Sequence, residues 1–356
     1  MKKNLLLFLL IISTSAFFYS CKMTSTHPAD TGFLHGAYIV NEGTYNHNNG
    51  SITYIDLDSS YIINNIFNII NQRPLGDIVQ SLTVAGDKGL IVVNHSAKVE
   101  VVDMQTFVSL GTITGCNYPR YALYLGNDNA YLTNGAFAGN VYVLDLKNLI
   151  ITDSIVVGNG PETMVRYGDY VYVANSGGWT NDSTVSVIDI TRNEVVKTIK
   201  TGDNPVAMAV DLDGYIWVLC KGKIVYDQNW NIVSETDSKL QKISPYNQEV
   251  EVSYVIGQKG DYFNPVRLTT DNMGELLYFV EHDGIYSMNI YASEVPKSPF
   301  ISGSFYGLGI DPYNGLIYAL NAGDFTSPGL LKRYYPNGRL LDTVSVGIAP
   351  NGIYFH

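Results

Sequence analysis

Four polar residues have the types and spacing to orient a ligand: Arg73, Gln80, Arg120 and Glu162. The last three each stand at the start of an apolar segment, in VQSL, NYPRYAL and GPETM. Guanidinium, amide and carboxylate groups placed this way supply charge-assisted and neutral hydrogen bonds. A second set is amide: Asn41, Asn94, Asn134, Asn175 and Asn321 each close an apolar run. Each asparagine can cap its own loop backbone, or together they can ring a shared opening with donors and acceptors.

Catalytic groupings are thin. No stretch has the pattern of a metalloprotease helix, a phosphate loop or a nucleophile elbow. His35, His47, His95, His282 and His356 show no ligand spacing and read as structural or solvated. Glu42, Asn94 and Asn134 offer oxygen atoms from separate segments, which suits a hard cation such as calcium. No general base accompanies them, so the expectation is a binding protein with no bound metal, no cofactor and no catalytic residue.

The elements that must position these groups come in repeats. The segment GDNPVAMAVDLDGYIWVLC at 202–220 reads as a turn, an apolar strand, a second turn at Asp213-Gly214 and another strand. Comparable units are anchored at positions 79, 119, 161, 205, 265, 305 and 350, spaced by 40, 42, 44, 60, 40 and 45 residues. Repeats of this length holding about four short strands each indicate a β-propeller. The chain opens on second- and third-strand segments, AYIVN (37–41) and SITYID (51–56), and ends on a first-strand segment, GIYF (352–355). The fold expected is therefore all-β: a seven-bladed β-propeller, its ring closed by the C-terminal strand joining the N-terminal blade.

Alternating strand directions assign the loops to two faces. The a–b and c–d turns (GDKG, GNDN, LDG, MGE, PYNG, TRNE, PNG) carry the residues that tight hairpins demand. The d–a and b–c loops are longer, and the fifth unit adds an insertion at 221–237. They carry Tyr45, Tyr118, Phe137, Trp179, Tyr226, Trp230, Tyr262, Phe263, Phe305, Tyr306 and Phe325. Aromatic side chains give a large contact area at low entropic cost. These rings either form a binding surface or pack over the edge of the propeller's own core.

Residues 1–20 read as a signal peptide: Lys2 and Lys3, then an apolar LLLFLLII too short to span a bilayer. Cys21 follows, in the place of a lipidated first residue; an ordinary secretion cut near Ser20 is the alternative. Residues 21–34 form the lipidated tether and residues 35–356 a single propeller domain. The net charge of −11 gives no electrostatic basis for nucleic-acid binding. Cys116 and Cys220 fall two blades apart, beyond disulfide reach.

The segments NEGTYNHNNGSITYIDL, RPLGDIVQSLTV, VVNHSAKVEVVDMQTF, GTITGCNYPRYAL and YVANSGGWTNDSTVSVIDI together resemble the YncE-like propeller lipoproteins of Bacteroidetes, the surface-layer type. Within that family the resemblance extends to BtuG-type proteins, which capture cobalamin on TonB-dependent outer-membrane transporters. It implies a lipid-anchored outer-membrane protein that captures a nutrient, a corrinoid first, without enzymatic activity. Lys22-Met23 replaces the acidic residues that often follow the anchor in surface-exported members, which leaves a periplasm-facing anchor open beside the cell surface. The ligand contacts expected are Arg73, Gln80, Asn94, Tyr118, Arg120, Asn134, Phe137, Glu162, Asn175, Trp179, Trp230, Tyr262, Phe305 and Tyr306. The alternatives are a protein-interaction scaffold and a calcium-dependent, lactonase-like enzyme.

Overall fold

The structure is a computed structural model that describes residues 32–59, 61–257 and 267–356. The signal segment, Cys21, most of the tether and Tyr262 lie outside the described residues. Seven four-stranded antiparallel sheets form the ring, with a separate two-stranded ribbon. Blades two to seven begin at Val79, Pro119, Pro161, Pro205, Leu268 and Gly307. The first blade joins Gly36–Asn41, Ser51–Asp56 and Ile62–Ile63 to the C-terminal Pro350–Phe355. Gly36 and His356 exchange both backbone hydrogen bonds at 3.0 and 2.9 Å, and the ladder continues with Tyr38 opposite Tyr354, so the ring has no open edge there.

Burial varies across each blade in a way the sequence explains. The second strands, such as Ile216–Cys220 and Gly36–Asn41, are buried along their whole length. They stand between neighbouring blades, so both faces need apolar residues. The outer strand Glu194–Lys200 instead alternates, with Glu194, Thr198 and Lys200 exposed and Ile199 buried. Seven apolar clusters fill the contacts between successive blades. The cluster joining the last blade to the first contains Ala37, Ile39, Tyr318 and Leu331.

Two local features depart from the sequence reading. The outer strand of the first blade is only Ile62–Ile63, and a short helix, Ile66–Asn71, follows it. The helix buries Ile66 and Phe67 against blade two, giving the reduced blade an apolar cover. The insertion in blade five folds as a hairpin, Ile224–Tyr226 against Ile232–Glu235, with Trp230 at its tip in a positive-φ conformation. On the opposite face the turns are tight; Asn127 and Asp128 both take positive φ, as a two-residue hairpin loop requires.

Cys116 and Cys220 are free and buried. Burial pushes their thiols up to about 11 and about 12 respectively. At pH 8 the native protein should therefore resist alkylation by iodoacetamide, because almost no thiolate is present. Mass spectrometry should detect two modified propeller cysteines only after denaturation. Deleting Pro350–Phe355 opens the ring and exposes two strand edges. The loss should be of the order of a whole domain's stability, about 5 kcal/mol or more, read from denaturant unfolding.

Candidate functional site

At the centre of the d–a/b–c face the ring encloses a cavity of about 680 Å³. Its walls follow a rule of position. The residue after the start of the inner strand is Gln80, Arg120, Glu162 or Val206 in blades two to five, and Asn351 in the closing strand. In each of these strands the pairing register slips there: between Val79 and Ser81, Pro119 and Ala122, Pro161 and Met164, Pro205 and Ala207, and opposite Val40/Asn41. A β-bulge leaves one residue out of the ladder and re-aims its side chain. Here Gln80, Arg120, Glu162 and Val206 line the mouth of the channel, and the fully buried Asn351 stands behind that wall.

These groups are tied to one another across the ring. Arg120 Nε donates to Glu162 Oε1 and Oε2 at 3.0 and 3.1 Å, and its Nη1 donates to Gln80 Oε1. Gln80 Nε2 donates to the Tyr121 hydroxyl at 3.3 Å. Glu42 accepts from the Tyr306 hydroxyl at 3.1 Å and from Asn351 Nδ2 at 2.7 Å. Asn351 also donates to the Gln80 carbonyl at 3.1 Å and, through its own carbonyl, accepts from Arg267 Nε at 3.0 Å. The Arg267 guanidinium lies 5.8 Å from the centre of the Tyr306 ring. Burial, then the Glu42 carboxylate, pushes the Tyr306 phenol well above its usual range, so it stays a neutral donor.

Lys221 completes the polar wall, from just beyond Ile216–Cys220. It is half-buried, and among the described residues its ammonium makes no hydrogen bond or close ion pair. Burial lowers its pKa; Glu162 opposes the shift, while Arg267 and Arg120 reinforce it. Lys221, Glu162 and Val206 also border a second hollow of about 400 Å³, roofed by the blade-five hairpin through Ile224 and Tyr226. Trp230 approaches Tyr226 with ring centres 5.9 Å apart. The two hollows thus share a wall.

Of the residues expected from the sequence, Gln80, Arg120, Glu162 and Tyr306 meet at this mouth. Phe305 also borders it but is buried, edge-on to Tyr334, and serves as core. Tyr118, Phe137, Trp179 and Trp230 stand exposed on the surrounding loops, outside the cavity lining, Trp230 most of all at 82%. Arg73 is elsewhere: its guanidinium grips the buried Glu100 through both nitrogens and stacks on Phe67. A strong internal partner took the arginine that a ligand was expected to need.

The asparagines are corrected in the same sense. Asn175 Nδ2 donates to Thr184 and Ser186 on the neighbouring strand, and Asn41 reaches Ser51 and Thr53 equivalently. Asn134 binds Asn140 and accepts from the Tyr118 backbone. All three are buried inside their blades rather than at the mouth. Asn94 is one residue out of this register, since Val93 pairs with Val79 where Asn134 pairs with Pro119. Its amide donates to the Pro119 carbonyl of the next blade. The reverse face also departs from expectation, because its turns expose Leu212, Tyr246, Met273, Tyr291 and Tyr313.

Sequence reading missed Lys221, Arg267, Tyr121 and Asn351, and considered Glu42 only as a metal ligand. The signal for Asn351 was present: it follows the seventh anchoring position just as Gln80, Arg120 and Glu162 follow theirs. Among the described residues no group of three or more His, Cys, Asp or Glu side chains could hold a metal ion.

This is a seven-bladed propeller with a charged cavity at the centre of one face. The chain belongs to the family described as "Domain of unknown function (DUF5074)", whose model matches residues 35–326. Its structure is similar to a quinonprotein alcohol dehydrogenase-like protein of Bacteroides thetaiotaomicron VPI-5482, with a TM-score of 0.69 and 17% identity, covering 91% of this chain and 78% of that one. A functionally unknown protein from Desulfotomaculum acetoxidans DSM 771 gives 0.64 and 13%, covering 90% and 98%. Hydrazine synthase of Kuenenia stuttgartiensis gives 0.57 and 16%, covering 79% and 92%. At these identities the likeness is one of fold. None of the curated proteins compared matches the chain.

Arg120 and Glu162 are 27% and 15% exposed at the side chain, so their pairing is only partly screened. Arg120→Met should cost about 3 kcal/mol in denaturant unfolding by stranding the carboxylate. Adding Glu162→Gln should recover part of that loss. Lys221→Met should have the opposite sign and stabilise the ligand-free protein by about 1 kcal/mol. With a lowered folded pKa, the wild type binds fewer protons at Lys221 than its unfolded chain does. Its stability should therefore rise relative to Lys221→Met as pH climbs from that lowered value towards the ordinary 10.5.

Proposed function

We propose that this protein is a cell-envelope lipoprotein that captures a nutrient on the d–a/b–c face and passes it to a TonB-dependent outer-membrane transporter. The observation that carries the reading is the pair of hollows sharing Glu162, Val206 and Lys221, bordered by exposed aromatic side chains. A polar centre inside an apolar rim is the general design of a site for a large, amphipathic solute. A corrinoid is the first candidate: a broad, flat, amide-fringed molecule that would lie across the mouth, with Trp179, Trp230 and Tyr226 against its edge. The loop face gives it contact area, and Gln80 and Tyr121 give amide and hydroxyl partners. The family resemblance and the lipidation expected at Cys21 agree with capture at the outer membrane, on the cell surface or facing the periplasm.

A protein-docking scaffold is the second reading, and a specific observation favours it. On the reverse face the Leu212 and Gly274 turns of adjacent blades hydrogen-bond, and Leu212, Met273, Tyr246 and Tyr291 are exposed around them. That patch would suit a partner protein, leaving the cavity side open.

Calorimetric titration of the mature protein with cyanocobalamin should give saturable heat at micromolar affinity, on the order of −8 kcal/mol. Trp179→Ala combined with Trp230→Ala should weaken it by about tenfold or more. No heat and no thermal shift at micromolar ligand would discard the corrinoid.

A further inference from the structure

Among the described residues, Lys221 stands in the cavity wall with Arg120 and Arg267 as cationic neighbours and Glu162 as its acidic one, in a chain whose net charge is −11. The carboxylates are already committed. Glu162 is held by Arg120, and Glu42 by the neutral donors Tyr306 and Asn351. Lys221 is left with a half-buried ammonium near Glu162 and two guanidinium groups, and it donates no hydrogen bond among the described residues. Such a charge costs free energy unless something compensates it.

We propose that the channel mouth is an oxyanion subsite, which accepts one singly charged group, a carboxylate or a phosphodiester, through Lys221 with Arg120 and Arg267 around it. One negative charge compensates the Lys221 ammonium; a second would meet Glu42 and Glu162 and be repelled. A cation at Lys221 would meet the Arg120 and Arg267 guanidinium groups as well. Lys221 also borders the second hollow, so the anionic group sits where the two hollows meet while the rest of the ligand extends beneath the hairpin. This inference rests on the loop face being the capture face, and it names the chemistry that face selects. It is compatible with cobalamin, whose nucleotide loop contains a phosphodiester, and with an unrelated organic acid.

The test uses the whole mature protein in low-salt buffer, where screening is weak. Dimethyl phosphate and acetate are the monoanionic probes; trimethyl phosphate and acetamide are their neutral counterparts. Binding is followed by NMR shifts of the arginine side-chain resonances. Both anions should bind saturably and both neutral molecules should not. Lys221→Met should weaken the anions by about tenfold, and Lys221→Arg should retain them. Absence of saturable anion binding by the wild type, or anion binding unchanged in Lys221→Met, overturns the subsite. A preference for one anion separates the two chemistries. Cyanocobalamin and dicyanocobinamide, which lacks the phosphodiester, distinguish this inference from the corrinoid reading. If both bind equally in wild type and Lys221→Met while the simple anions fail, capture stands and the subsite falls. If the anions bind through Lys221 and neither corrinoid does, the subsite stands and another acid is the ligand.

Discussion

The structure depends on what happens at one amide. Asn351 lies in the strand that closes the ring, and its side chain and carbonyl together hold Glu42, the Gln80 backbone and Arg267. Those partners come from the first, second and sixth blades. Ring closure and assembly of the cavity wall are therefore one event. A propeller whose last strand is unpaired has exposed sheet edges, and here it would also have an unassembled centre. The bulges make this possible: an unbroken ladder would alternate side chains strictly between the two sheet faces, and none would be turned into the channel.

The centre is held together by groups that would each be costly alone. Arg120 and Glu162 pair with one another, and Gln80 accepts a further guanidinium hydrogen from Nη1. Tyr306 reaches Glu42 as a neutral donor while its ring accepts the Arg267 cation. Lys221 has no hydrogen-bonded partner among the described residues, only the more distant Glu162 carboxylate. A fold optimised only for stability would place an apolar side chain there, as it does with Val206 on the adjoining wall. Under the proposed capture, a substitution that relieved this cost would also remove a binding group.

The sequence was informative wherever a feature repeated. Alternation and anchoring positions disclosed the blades, the closing strand and the two faces, because each repeat confirms the others. Gln80, Arg120 and Glu162 were legible for the same reason: they occupy one place in the repeat. Arg73 misled because its chemistry is right and its neighbour is not visible in one dimension; Glu100 lies on another strand and takes both its nitrogens. The asparagines misled because a recurring polar residue satisfies either a repeated structural need or a shared function. Here the need is structural, an amide bridging to hydroxyls on the adjacent strand. Lys221 was hidden by the absence of any repeat: it belongs to the one blade whose loop is enlarged.

That enlargement explains why the two faces differ in kind. The blade-five register continues normally through Cys220, which occupies the place that Asn175 holds in blade four. There is no asparagine in that place; Cys220 is buried there, its thiol a weak donor to Gln241 Oε1 at 3.7 Å on the adjacent strand. The chain leaves the sheet immediately afterwards, carries Lys221 into the cavity wall and builds the hairpin over the second hollow. One irregular blade among regular ones breaks the symmetry that would otherwise give the channel equivalent walls. A symmetric mouth presents the same groups on every side, whereas this one interleaves carboxylates from blades one and four with cations from blades three, five and six and carries a hairpin beside blade five. Under the proposed capture this unevenness would orient the ligand, and it begins where the repeat is broken.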